Sequence, residues 1–478
     1  MRGILSRRSF VAAAGCAAFA GRIGARPPAP RPLPARAATN PLVRQRADAH
    51  VFRHEDGLYY FTASVPEYDR LVLRRAARLE DLGTAEEVVV WRRPARGRLG
   101  GYIWAPELHW IDGRWHIYFA AGDKDDPFRI RTYVLSTPAR DAFDPRWSLL
   151  GRLETPWDSF TLDSTSFVHR GTRYLCWAQR EPGIDTNSNL YLAPLASPTR
   201  LARRPVRLTV PTLPWEVQGF KVNEAPAILA RNGRLFLSYS ASATDARYCL
   251  GLLTADADAD IMRAGAWAKS PEPVFATSRL TGVYGPGHNS FTVDGQGRDL
   301  LVYHGRDYER ISGDPLFDPN RHTRVQRLYY RADGTPDFGI PVGNGPLPDR
   351  LAPMDAPGAR LAHAGDRLLV GAAALPATQF RQMPGGAGVG TVSLAPIDAA
   401  GMLVGVGADG AAALVRDDGA RATALRTSFR REAGLADPRG ASFRALTGAA
   451  YLRHAGGAVR LAPVAGDAAR TAATFRLS

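Results

Sequence analysis

The chain has 478 residues, of which 45% are hydrophobic, and it carries a formal charge of +15. This length is enough for two or three domains with sizeable cores. No apolar run reaches about eighteen residues, which excludes a membrane-spanning helix, and no basic run is interleaved with aromatic residues, which argues against a nucleic-acid partner.

Residues 1–37 are typical of an export signal rather than of a folded segment. Paired Arg7 and Arg8 precede a short apolar stretch, and residues 35–37 (Ala-Arg-Ala) offer a small-residue cleavage site. We therefore predict a twin-arginine signal peptide over residues 1–37; a disordered basic tail and a lipid anchor at Cys16 are the alternatives. Seven arginines and no acidic residue lie in this segment, so the remaining chain has a moderate formal charge of +8.

A turn followed by an aromatic, strand-like run occurs five times after this segment, as in "WIDGRWHIYFAA" and "ARNGRLFLSYSAS". The turn glycines are spaced 56 to 64 residues apart and are Gly57, Gly113, Gly171, Gly233 and Gly297. Units this small cannot bury their own sheet faces, and radial stacking solves that problem. We predict an all-β fold with a five-bladed β-propeller over residues 38–352; a β-sandwich and a right-handed β-helix fit the long, regular repeat less well.

Polar residues recur about nine positions before the turn glycines, where the innermost strand of each blade would begin. Equivalent strands of a propeller line one central channel, so side chains at equivalent positions should converge there. The residues predicted to meet are Asp48, Asp163, Glu224 and His288. Two carboxylates can hydrolyse a glycosidic bond, one as acid and one as base, and a third can raise the pKa of the acid. Hydrogen bonding of strand starts and a purely metal-binding site are the alternatives.

These residues lie in sequence motifs that resemble those of glycoside hydrolase family 43. The matching phrases include "RADAHVF", "IWAPELHWIDGRWHIYFAAG", "LDSTSF", "NEAPA" and "GPGHNSF", and the resemblance spans nearly all of residues 40–345. It is strongest to the α-L-arabinofuranosidases of that family. The resemblance implies that Asp48 is the general base, Asp163 tunes and orients the acid, and Glu224 is the general acid, in a reaction that inverts the anomeric configuration.

The same resemblance implies further site residues. His288 matches a histidine near a central, water-shelled cation, often calcium, and Arg324 matches an arginine that reaches the sugar pocket. An ion pair that closes the last blade is the alternative for Arg324. Trp104 is expected to form a pocket wall, and Trp215 either to contact the leaving group or to pack in the core. One departure from the family is Asp48-Ala49, where Asp-Pro is usual.

Cysteine usage gives little information about the fold. Cys16 would leave with the signal segment, and Cys176 and Cys249 lie in apolar, strand-like runs. Buried free thiols are the simpler interpretation, and one disulfide in an exported protein is the other.

The C-terminal third has a different composition and a second repeat. Its phenylalanines Phe380, Phe429 and Phe475 are spaced 49 and 46 residues apart, which predicts a β-trefoil over residues 361–478. The last repeat resembles the arabinofuranose-binding module of carbohydrate-binding family 42, which binds sugar through a His and an Asp. The candidates here are His454 and Asp467; the second repeat lacks the histidine. A trefoil that only packs on the propeller is the alternative.

Together these features predict an exported, inverting α-L-arabinofuranosidase that removes terminal arabinofuranosyl residues from plant cell-wall arabinan or arabinoxylan. We expect a monomer with no membrane or nucleic-acid partner, and calcium as the one candidate cofactor. A β-xylosidase or endo-arabinanase on the same fold, or a propeller lectin without catalysis, are the alternative functions. The lectin is disfavoured because all three carboxylates are present.

Overall fold

The computed structural model describes residues 38–407 and 411–478. The predicted signal segment and Cys16 therefore lie outside the described residues. Strands dominate, with only two short α-helices, α1 (Arg421–Thr427) and α2 (Asp467–Ala472), in the described chain. No helix among these residues has the length and apolarity needed to cross a membrane.

The predicted five-bladed β-propeller is confirmed. A short strand, β1 (Thr39–Asn40), precedes five antiparallel sheets. Each sheet follows the chain order of its strands from the inside outward, except that in the third sheet both β13 and β14 pair with β12. The sheets comprise β2 (Ala47–Arg53), β3 (Tyr59–Ser64), β4 (Arg70–Ala76) and β5 (Val88–Arg92); β6 (Ile103–Ile111), β7 (Arg114–Ala121), β8 (Arg131–Thr137) and β9 (Ser148–Arg152); β10 (Thr161–His169), β11 (Thr172–Gln179), β12 (Asn189–Ser197), β13 (Arg200–Leu201) and β14 (Val206–Thr209); β15 (Asn223–Arg231), β16 (Arg234–Ala241), β17 (Cys249–Asp256) and β18 (Ala268–Lys269); and β19 (Tyr284–Val293), β20 (Asp299–Arg306) and β21 (His322–Arg327).

The five repeated turn glycines connect the first two strands of the five blades. All five have φ between 73° and 86°, the left-handed region that glycine adopts at little cost. The aromatic runs that follow them form the second strands and fill the space between blades. Tyr59, Tyr118 and Tyr239 are buried there, as expected for core residues.

The propeller closes through its N-terminal segment. Leu42 N–H donates to Thr323 O at 2.8 Å, and Thr323 N–H donates to Val43 O at 2.9 Å, so the segment adds to the outer edge of β21. The buried Asn40 side chain donates to Val325 O and accepts from Val325 N–H, both at 2.9 Å. The first residues of the fold thus pair with the last blade and protect its edge.

The predicted β-trefoil is also present. Two short pairs link it to the propeller, β1 with β24 (Gly345–Pro346) and β22 (Tyr329–Tyr330) with β23 (Pro336–Asp337). Three four-stranded repeats follow: β25 (Asp349–Pro353), β26 (Arg360–Ala364), β27 (Arg367–Gly371) and β28 (Gln379–Pro384); β29 (Val392–Pro396), β30 (Met402–Val406), β31 (Ala412–Arg416) and β32 (Phe429–Ala433); and β33 (Ala441–Ala445), β34 (Ala450–Ala455), β35 (Ala458–Pro463) and β36 (Phe475–Leu477).

The first and last strands of each repeat form a closed six-stranded barrel in the order β25, β28, β29, β32, β33 and β36, and β36 returns to β25. The middle strands form three hairpins that cap it. The repeated phenylalanines, Phe380, Phe429 and Phe475, all lie in one buried cluster. Because β25 belongs to this barrel, the trefoil begins at residue 349 rather than at the predicted 361.

Cys176 and Cys249 are both buried and free, which agrees with the simpler interpretation of the sequence. Burial raises the pKa of the Cys249 thiol to about 12. This thiol is therefore protonated and behaves as a small apolar side chain.

The chain end holds the trefoil to the last blade. The Ser478 backbone oxygen accepts from Arg350 N–H at 2.8 Å, from the Tyr329 hydroxyl at 3.0 Å and from the Arg327 guanidinium at 3.2 Å. Two of these donors follow or end the strands of the fifth blade. The β36 strand therefore closes the barrel, and the residue that follows it contacts the propeller.

We expect Phe475→Ala to destabilise the trefoil by about 3–5 kcal/mol, because a fully buried ring leaves a cavity. Circular dichroism should report the loss of stability. All nine tryptophans lie in the propeller, so their fluorescence tells whether that domain unfolds with the trefoil. The control Val389→Ala changes a fully exposed side chain and should leave stability unchanged; an unaltered transition for Phe475→Ala would contradict the role of β36.

Candidate active site

A backbone bulge recurs at one place on the innermost strand of every blade. At this point the register between the first two strands shifts, and one non-glycine residue takes φ between 44° and 55°. These residues are Asp48, Ala105, Asp163, Ala225 and His288. Such conformations cost of order 1–3 kcal/mol and persist where the surroundings hold them. Bulges also re-aim side chains, here toward the central channel.

Side chains of neighbouring blades hold the bulges in place. The backbone N–H groups of Ala105 and His288 donate to serine hydroxyls of the preceding blade, each at 2.8 Å. Asp48 N–H lies 3.2 Å from His304 Nδ1, and Ala225 N–H donates to Asp163 Oδ2 at 3.1 Å. The bulges therefore join adjacent blades at the level of the carboxylates.

The positions of the bulges show that one of the four predicted channel residues is not equivalent to the others. Asp48, Asp163 and His288 are equivalent, as expected, but the blade 4 residue at this position is Ala225. Glu224 precedes its bulge and corresponds to Trp104 of blade 2. It nevertheless lines the same cavity as the other three residues, because the longer glutamate side chain extends into it.

Asp48 lies beside one cation, the Arg321 guanidinium, and several polar side chains. Its Oδ1 lies 3.2 Å from the Arg321 guanidinium and 3.3 Å from His288 Nδ1, and its Oδ2 accepts from the Ser64 hydroxyl at 2.6 Å. Burial alone would raise the pKa of Asp48, but Arg321, His288 and His304 outweigh burial and hold this pKa well below its usual range. Asp48 is therefore ionised.

For Glu224, the effects that raise the pKa exceed those that lower it. Burial raises the pKa of Glu224 to about 7, and Asp48 adds to that, although the Tyr248 hydroxyl donates to Oε1 at 2.8 Å and works against it. Burial also raises the pKa of Asp163, and the negative charges of Glu224 and Asp48 raise it further. Three carboxylates in one buried cavity cannot all ionise, so one acid is protonated beside one ionised base near neutral pH.

These three carboxylates line a cavity of about 960 Å³. Trp104 forms part of its wall, as predicted, and its buried Nε1–H has no partner among the described residues. Phe128 and Phe220, both more than half exposed, also line the cavity. The site thus combines an acid and a base with apolar faces on which a sugar ring can pack.

Two predicted contact residues lie elsewhere. Arg324 is fully buried, forms an ion pair with Asp307 and does not line the cavity, so the ion-pair alternative describes its position. Arg321 takes the place predicted for Arg324. Trp215 is a core residue: its Nε1–H donates to Pro271 O at 2.9 Å, and its ring stacks with Tyr239.

The predicted pair of the third trefoil repeat does not come together. His454 Nε2 lies 2.8 Å from Asp355 Oδ1, a residue of the first repeat. Asp467 begins helix α2, with no side-chain contact to His454 among the described residues. A similar pair joins His363 of the first repeat to Asp398 of the second at 2.7 Å. In both pairs the histidine is bound to a carboxylate of another repeat.

His50, Glu107 and His109 form a separate cluster, in which one side-chain atom of each residue lies within 4.8 Å of those of the other two. His50 Nδ1 accepts from Leu108 N–H at 3.3 Å, so its proton is on Nε2, which faces Glu107 at 3.8 Å. His109 Nε2 lies 2.9 Å from the same carboxylate. Burial lowers the pKa of His50 to about 4 and that of His109 to about 3, so both rings are neutral.

This donor set is a poor match for calcium, which takes six to eight oxygen ligands, because water would have to supply nearly all of them. Among the described residues the cluster offers one carboxylate and two imidazoles, and at least one imidazole turns N–H toward the carboxylate. His288 faces Asp48 and Asp163 through Nδ1. No catalytic step is therefore assigned to a cation.

We expect treatment with EGTA, followed by dialysis, to leave the melting temperature and kcat/KM unchanged. A bound ion stabilises the folded state by mass action, so its removal would lower the melting temperature. A fall that added calcium reverses would contradict this expectation. Glu107→Gln would then test whether the ion lies at this cluster.

Three residues that contact the acid or the base, Arg321, Tyr248 and His304, were not among the predicted site residues. The alternation of side chains between the two faces of a strand could have favoured Arg321 over Arg324. In β20, His304 faces the channel and Tyr303 the core, and the register pairs Tyr303 with Arg324. Arg324 therefore faces the core, and Arg321 lies just before β21. No sequence signal marked Tyr248 or His304.

A propeller whose channel holds a low-pKa and a high-pKa carboxylate in one sugar-sized cavity belongs to the class of glycoside hydrolases. The chain belongs to Glycosyl hydrolases family 43, whose model matches residues 38–336.

Known proteins extend the similarity beyond the propeller. The chain is 50% identical over 402 residues to an extracellular exo-α-(1→5)-L-arabinofuranosidase of Streptomyces avermitilis, covering 84% of this chain and 83% of that one. It is 50% identical over 416 residues to α-L-arabinofuranosidase 43 of Humicola insolens, covering 84% and 86%. The crystal structure of an α-L-arabinofuranosidase from Lactobacillus brevis matches with a TM-score of 0.62 and 48% identity, covering 64% of this chain and 98% of that one.

Proposed function

We propose that the protein is an inverting α-L-arabinofuranosidase that releases terminal arabinofuranosyl residues from arabinan or arabinoxylan. The observation that carries this proposal is the divergence of two pKa values in one cavity, about 7 for Glu224 and well below the usual range for Asp48. The identity to two arabinofuranosidases over more than four fifths of the chain supports the choice of sugar.

In this mechanism each buried group has one task. Protonated Glu224 donates its proton to the glycosidic oxygen, while ionised Asp48 accepts a proton from the attacking water. Arg321 keeps Asp48 ionised. Asp163 accepts from Ala225 N–H at 3.1 Å and so fixes the backbone beside Glu224. Trp104 and the exposed phenylalanines provide apolar faces for the substrate.

Tyr248→Phe tests the acid through the pH profile. The hydroxyl donates to Glu224 and stabilises its ionised form, so removing it should raise the pKa of Glu224 above about 7. The alkaline limb of kcat/KM should then move to higher pH, because the protonated acid persists longer. Tyr59→Phe is the control, since the Tyr59 hydroxyl is buried and has no hydrogen-bond partner among the residues that the structure describes. An alkaline limb that stays in place or moves to lower pH would contradict the assignment.

We further propose that the protein is exported through the twin-arginine route and acts as a monomer outside the cytoplasm. The paired arginines of residues 1–37 support the route, and the extracellular relative supports the location. The trefoil is proposed to act as a weak arabinose-binding module or as a packing domain. The His454–Asp355 pair favours packing, because the histidine would have to leave its carboxylate to bind sugar.

The experiment that tests the function is a substrate screen with product analysis. Nitrophenyl α-L-arabinofuranoside, nitrophenyl β-xyloside and linear arabinan should be compared, and the anomer released from arabinan followed by NMR. We expect cleavage of the arabinofuranoside and release of single arabinose units with inverted configuration. Preferred cleavage of the xyloside, oligosaccharide products, or a retained anomer would each overturn the corresponding part of the proposal.

A further inference from the structure

A second, smaller cavity of about 220 Å³ lies on blade 2 beside the active-site cavity. Its charged walls come from three loops and strands β8 and β9, and their residues are Arg98, Asp123, Arg129, Arg131, Arg152 and Asp158. Arg131 lines both this cavity and the active-site cavity. A ligand that fills the active-site cavity can therefore extend to this second site, which we call the arginine cavity.

The arginine cavity has more positive than negative charge. Asp158 Oδ1 accepts from Arg131 and from Arg152, both at 2.7 Å. Arg129 lies 3.7 Å from Asp158, and Arg98 has no hydrogen-bond or ion-pair partner among the described residues. Four guanidinium groups thus face two carboxylates, which leaves a net formal charge of +2.

Two donors that line the cavity, the Arg98 guanidinium and the Tyr133 hydroxyl, have no hydrogen-bond partner in the described chain. Among the same residues, the Arg129 side chain is held only by its 3.7 Å ion pair with Asp158, and the Asp123 carboxylate accepts from Asp125 N–H at 3.1 Å. Arginine and phenol donors match the oxygens of a planar carboxylate. The volume lies below the roughly 300–1,000 Å³ of sites for drug-sized ligands, so it suits one charged group rather than a second chain segment.

We propose that the arginine cavity binds the carboxylate of a uronate residue in the polymer that carries the arabinofuranosyl group. This inference rests on the proposed function, since it places the sugar to be released in the active-site cavity. The uronate then belongs to the leaving-group side of the substrate. Its role is to favour acidic polymers over neutral ones.

The test compares an arabinose-branched polymer that contains uronate residues with the same polymer after its carboxyl groups are reduced to alcohols. We expect kcat/KM to be about threefold to tenfold higher on the acidic polymer, in line with exposed charge-assisted hydrogen bonds. The double variant Arg98→Gln/Arg129→Gln should lose this preference. It should hydrolyse nitrophenyl α-L-arabinofuranoside normally, because neither residue lines the active-site cavity.

The matched control is Arg203→Gln/Arg204→Gln, which removes the same charge from two exposed arginines outside both cavities. It should keep the preference, and high salt should reduce the preference of the wild type. Equal rates on the two polymers, or a preference that survives Arg98→Gln/Arg129→Gln, would overturn the inference. The inference would also be overturned if inorganic phosphate inhibited polymer cleavage while the enzyme showed no preference for the acidic polymer. That result would indicate a site for free anions. Failure to cleave the small arabinofuranoside would instead reject the proposed function.

Discussion

Glu224→Gln is expected to lower kcat on arabinan by about 10²–10⁴-fold, the range that general acid catalysis contributes. Glutamine keeps the size of the side chain and can still accept from the Tyr248 hydroxyl, but it cannot donate a proton to the glycosidic oxygen. Substrates with a good leaving group, such as a dinitrophenyl arabinofuranoside, need little protonation. On these the variant should retain most of its activity.

The test is the difference between the loss of activity on arabinan and the loss on the activated arabinofuranoside. The alkaline limb of the pH profile, which follows the Glu224 pKa of about 7, should also disappear from the residual activity. Glu55→Gln, a change at an exposed glutamate, provides the control for the loss of one carboxylate. Equal loss on arabinan and on the activated substrate would reject Glu224 as the acid.

The architecture could be predicted because it depends on periodic, local signals. Turn glycines repeat in the propeller and phenylalanines repeat in the trefoil, and each follows from what one repeating unit needs to fold. The glycines need a left-handed turn, and the phenylalanines fill one shared core. These requirements act on nearby residues, so the sequence displays them directly.

The site could be predicted only in part, because its geometry depends on register and long-range contacts. The bulge shifts the alignment by one residue, so Ala225 rather than Glu224 is equivalent to Asp48. Arg321 reaches Asp48 across 273 positions of chain. His454 similarly pairs with Asp355, 99 positions away, instead of the nearby Asp467. Such partners become neighbours only when the blades or repeats assemble.

The network around Asp48 makes the base harder to test than the acid. Asp48 is the buried carboxylate that pairs with Arg321, whose other described contact is with the Tyr68 hydroxyl at 2.9 Å. Neutralising Asp48 would leave a buried guanidinium without its counter-charge, which destabilises proteins by about 3–5 kcal/mol. A loss of turnover must therefore be separated from a loss of folded protein.

Asp48→Asn should lower kcat by about 10²–10⁴-fold on every substrate, whatever its leaving group, because water must still be activated. Inhibition by L-arabinose should persist, since the sugar-binding walls remain. Asp307→Asn is the control: it removes the partly exposed counter-charge of the buried Arg324, in the fifth blade, and does not touch the cavity. Both variants should melt at lower temperature, and only Asp48→Asn should lose turnover at temperatures where it is folded. Normal hydrolysis of a dinitrophenyl arabinofuranoside by Asp48→Asn would show that another group activates the water.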